Sequence, residues 1–71
     1  MFDLRAALAG VDGRQFDFSA LEDLLGLIRR QNLGDISPEV GTPELLMVAL
    51  RRNWIREDEN GQFHIELPKA A

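Results

Sequence analysis

Two prolines set the plan of this chain. Ser37-Pro38-Glu39 and Thr42-Pro43-Glu44 share one order: a hydroxyl residue, a proline, then a carboxylate. That order opens a helix, with the hydroxyl as cap, proline at the first helical position and the acid in the first turn. Proline also stops a helix from running through it, so the chain before Pro38 is separated from the chain after Pro43. The expected arrangement is one short helical turn over residues 35–40, a sharp left-handed corner at Gly41, and a full helix over 43–52. Asn53 then stands just past the helix end, where a non-glycine residue of positive φ is most often asparagine.

Upstream, Ser19-Ala20-Leu21-Glu22 fits a capping box. Leu21, Leu24, Leu25 and Ile28 recur at i, i+3, i+4, i+7, the apolar stripe of a helix running to about Gln31. Arg29 and Arg30 in its last turn suit the helix dipole. Gly26 in its interior costs ~1 kcal/mol relative to alanine unless another backbone packs there. Residues 2–9 fit a first short helix, with Phe2, Leu4 and Leu8 as its apolar side and Gly10 as its stop. Val11-Asp12-Gly13-Arg14 is a turn, and residues 15–18 are briefly extended.

The end of the chain reads as a hairpin. Trp54-Ile55-Arg56-Glu57 leads into a turn over 58–61, and Gln62-Phe63-His64-Ile65-Glu66-Leu67 returns. A two-residue Asn60-Gly61 turn would set Ile55 opposite Glu66. A three-residue loop with Gly61 in a bulge pairs Ile55 with Ile65. Only the second puts Ile55, Phe63, Ile65 and Leu67 on one face and Trp54, Arg56, His64 and Glu66 on the other, so it is selected. The fold class is α+β: a small helical domain of three main helices plus a short helical turn, with a C-terminal β-hairpin wing. Residues 1–71 form one domain, with 67–71 as a flexible tail.

Helix, short helix, glycine corner, apolar helix and strand-turn-strand resemble a winged helix-turn-helix domain over residues 19–67. In that resemblance Ile36 takes the buried place of the first motif helix, Ser37 the small residue beside it, and Gly41 the turn. Met47 and Leu50 fall where the motif buries its second helix. Pro38 departs from the pattern by shortening the first helix. The resemblance implies a DNA reader, but the positions it would aim at base edges are Pro43, Glu44, Leu45, Val48, Ala49 and Arg52. Only Arg52 is a useful donor there, and the wing Glu57-Asp58-Glu59 is acidic where phosphate would approach.

Composition points the same way. Eight Lys/Arg against twelve Asp/Glu leave a net charge of −4, opposite to the usual excess of a duplex-binding domain. Hydrophobic residues reach 45%, enough for a small core, and the chain has no cysteine, which fits a reducing, cytoplasmic setting. The N-terminus lacks the basic and apolar regions of a signal peptide, and the longest apolar run is too short to span a bilayer. The acidic turn matches a calcium loop at Asp58, Asn60 and Gly61, yet Arg56 stands at the first ligand place and Leu67 at the last. No catalytic, cofactor-binding or metal-ligating set is expected, nor a small-molecule substrate. His64, the single histidine, has Arg56 opposite and Glu66 along its face.

The run Leu45-Leu46-Met47-Val48-Ala49-Leu50 is apolar on every side of a helix. Our expectation is that Leu46, Met47 and Leu50 point inward and Leu45, Val48 and Ala49 outward. The candidate contact residues for a protein partner or a second copy of the chain are then Leu45, Val48, Arg52, Trp54, Arg56 and His64. The alternative is a small DNA-binding regulator, dimeric, contacting phosphates through Arg29, Arg30, Arg51, Arg52 and Arg56.

Overall fold

The computed structural model describes residues 2–69. Helix α1 (Leu4–Leu8) is capped by Asp3, whose Oδ1 accepts from the Ala6 amide at 3.2 Å, and it passes into a 3-10 turn, Ala9–Val11. Gly10 lies within that turn and does not end the helix, because the chain tightens there instead of stopping. Gly13, at φ +83°, reverses the backbone into β1 (Gln15–Phe16).

Helix α2 (Phe18–Gln31) begins earlier than the capping box suggests. Asp17, in extended conformation, accepts from the Ala20 amide at 2.7 Å and takes the cap expected of Ser19. Aspartate caps as well as serine, and the earlier start adds Phe18 to the helix. Leu21, Leu25 and Ile28 are buried and Leu24 is half-buried, as the stripe requires. Asn32 ends the helix, its side-chain amide donating to the Ile28 carbonyl.

No helical turn forms over residues 35–40. Ile36 is buried, and the Val40 amide closes a single reverse turn on the Ser37 carbonyl. Arg29 stands in for the missing regularity: its Nε donates to the Val40 carbonyl at 2.7 Å and its Nη2 to that of Pro38 at 3.2 Å. Gly41 is extended, at φ −98° and ψ −175°, so the left-handed corner is not used. It caps α3 (Thr42–Arg51) through its backbone, which places Thr42 inside the helix and leaves its hydroxyl without a capping bond. Asn53 does take the left-handed conformation, at φ 60°.

Strands β2 (Ile55–Glu57) and β3 (Phe63–Ile65) pair in the expected register, Ile55 with Ile65. The loop is the three-residue form: Asp58 and Gln62 close it and Gly61 has φ +78°. β1 joins as a third antiparallel strand on the other edge of β3, giving the order β1-β3-β2. Sequence reading recognised the extended segment but not its partner. One apolar core results, with Leu8, Leu21, Leu25 and Ile65 wholly enclosed. The stretch expected as a tail is tied at two points. The Leu67 amide donates to Asp12 Oδ1 and Arg5 donates to the Pro68 carbonyl, while Ala70 and Ala71 lie outside the described residues.

Candidate functional site

The outward side of α3 exposes large apolar side chains, because the run over residues 45–50 is apolar on every side of the helix. Leu45 and Ala49 face the core, at 5% and 0% exposure, reversing the orientation expected from the sequence. Met47 (52% exposed), Val48 (44%) and Leu50 (40%) face out. The Trp54 amide donates to the Ala49 carbonyl at 2.9 Å and the Asn53 amide to that of Leu50 at 3.1 Å, the pair of main-chain bonds that closes the helix end around the left-handed Asn53. Ala49 is the smallest residue of the run, and a small side chain marks the side where other elements come near.

Met47 and Leu50 line an apolar groove between α3 and the start of α2, together with Pro43, Leu46, Phe18 and Leu25. Phe18 is 52% exposed and packs one edge against Phe63, ring centroids 6.0 Å apart. Among the described residues, Glu22 is the single charged side chain lining the groove. Phe18 escaped sequence reasoning because the helix start was placed after it. The Asp17 cap, one residue upstream, was the available signal.

On the opposite flank of α3, Leu45, Val48, Arg52 and Trp54 line a second depression with Phe2 and Leu4. Four of the six candidate contact residues are therefore brought together. Leu45 forms the buried floor and cannot be a projecting contact. Trp54 is half-buried against the core, and the Arg52 guanidinium lies 6.0 Å from its ring centroid, a cation–π distance.

Arg56 and His64 belong to the polar side of the hairpin, each engaged by a carboxylate. Arg56 forms a two-point ion pair with Glu66, Nε–Oε1 at 2.9 Å and Nη2–Oε2 at 3.1 Å. That bond holds the Glu66 carboxyl below its ordinary value and raises the guanidinium. His64 Nε2 meets Asp58 Oδ2 at 2.7 Å, both side chains about four-fifths covered. Its partner is thus the turn residue Asp58, not Arg56 or Glu66. Asp58 Oδ1 also accepts from the Asn60 and Gln62 amides, and the carboxyl is held low, first by the His64 bond and then by the Gln62 amide. An aspartate at the start of a turn closing on Asn-Gly was the sequence signal for this side-chain turn.

Of the arginines considered for phosphate, Arg29 is spent on the loop carbonyls and Arg56 on Glu66. Arg30, Arg51 and Arg52 are exposed and enter no ion pair among the described residues. No helix among the described residues is long and apolar enough to cross a membrane. Comparison with protein-family models, with curated proteins and with solved structures finds no match to this chain.

Proposed function

We propose that the chain is a non-catalytic protein-interaction or regulatory module on a winged-helix-like fold, acting from the outward side of α3 in a reducing, cytoplasmic setting. One observation carries this: Met47 and Leu50 stand exposed on one flank of α3 with Phe18 across the groove, and Val48 continues the exposed apolar surface from Met47 toward the other flank. Scattered exposed apolar residues are ordinary, whereas a contiguous set on one element is the mark of a contact surface. The helix-helix-hairpin succession supports the winged-helix-like description. The residues on α3 do not support reading of bases, because the middle of its exposed side offers methionine, valine and leucine where a groove demands donors and acceptors, and its arginines stand only at the far end.

DNA binding through Arg30, Arg51 and Arg52 is the second reading, favoured by their exposure and lack of ion-pair partners among the described residues. Titration with duplex DNA at low salt, repeated at higher salt, separates the two. We expect no binding at low salt. Micromolar binding with a steep salt dependence would overturn the interaction reading in favour of the second.

A further inference from the structure

One exposed line of α3 is Glu44, Met47, Val48 and Arg51, at i, i+3, i+4 and i+7. All four are exposed. The line reads acid, two apolar residues, base, and its centre falls between Met47 and Val48. Neither Glu44 nor Arg51 enters an ion pair among the described residues. The Glu44 carboxylate lies back over the first turn, 3.5 Å from where a Cβ on Gly41 would stand, and it makes no ion pair among the described residues.

Such a line is complementary to itself in one orientation only. Seven residues of helix separate its charges by about 10 Å along the axis. A copy laid antiparallel about a two-fold axis through the Met47–Val48 midpoint brings Glu44 of each chain level with Arg51 of the other. The four apolar side chains then meet at the centre. A parallel copy would instead set acid beside acid and base beside base. Packed helices stand about 8–10 Å apart, within reach of glutamate and arginine side chains extended toward each other. A two-fold arrangement also makes the contact closed, with one patch on both partners.

Resting on the interaction reading above, we infer that the partner of this face is a second copy of the chain, paired antiparallel through α3 with Glu44–Arg51 bridges at both ends. The helix spans ten residues, so the contact is small and the dimer weak, with a dissociation constant of about micromolar or higher. Exposed apolar residues at the middle supply the attraction, and the end charges set the orientation.

Sedimentation equilibrium over a concentration series tests this with charge reversals. Glu44→Arg alone sets two arginine–arginine pairs across the interface, and Arg51→Glu alone sets two glutamate–glutamate pairs. Each should weaken self-association at least about tenfold. An equimolar mixture of the two variants restores both bridges and should dimerise again. Circular dichroism checks that each variant stays folded. A wild type that remains monomeric at about 1 mM overturns the inference, as do single reversals that dimerise like the wild type or a mixture that fails to recover. A wild type that stays monomeric and ignores duplex DNA removes only the self-pairing; DNA binding removes the interaction reading itself.

Discussion

Gly26 sits in the middle of α2, where an added Cβ would meet only the Thr42 Cγ2, at an ordinary 3.9 Å. Nothing in the fold requires glycine there, so its conformational freedom is simply lost on folding. Gly26→Ala should stabilise the chain by about 0.5–1 kcal/mol, read as a melting-temperature rise of several degrees. A lower melting temperature would mean that the helices approach more closely than the Thr42 contact indicates. Residue identity was legible where one atom decides the outcome: Asn53 at its positive φ, and Gly61 in the bulge. It failed at Ser19 and Asp17, because two good caps stood two residues apart. Their local preferences are similar, and the path of the preceding strand chose between them.

The hairpin is where sequence was most informative at the scale of elements. Strand side chains alternate strictly, so a slip of one residue would have turned Ile55 out while Ile65 stayed in, and the register could be read directly. α3 gave the opposite result. Six apolar residues in succession carry no preferred direction, so its facing was not written in the pattern. On the hairpin, the Asp58 and Glu66 carboxyls are both held below their ordinary values in the fold. A group whose folded value is depressed contributes stability that is complete above its unfolded value, about pH 4, and is lost as pH falls through the folded value. Thermal melts should therefore fall off on acidification below about pH 4. Asp58→Asn keeps an oxygen for the Asn60 and Gln62 amides but removes the charge beside His64. Its melts should respond less steeply to acid; an acid response identical to wild type would show that the Asp58 charge does not hold the turn.

Across the whole molecule, β3 is the strand on which everything else rests. It lies between β1 and β2, and Ile65 is wholly enclosed in the core. Ile65→Ala should cost about 2–5 kcal/mol, against a total of only about 4–11 kcal/mol expected for a chain of 71 residues. The melting temperature should drop by more than about 10 °C. A shift of only a few degrees would show that the sheet can collapse around the vacancy. The same central position explains what the sequence could and could not convey. By itself it determined the presence of the three main helices, the hairpin and its register, though not the segment over 35–40, because caps, prolines, turn residues and side-chain periodicity act between neighbours in the chain. Only the tertiary structure decided that β1 pairs with β3, that Arg29 braces the loop before α3, and which side of α3 meets the core. Those outcomes depend on segments distant in sequence competing for the same buried surface, and no local pattern records who wins.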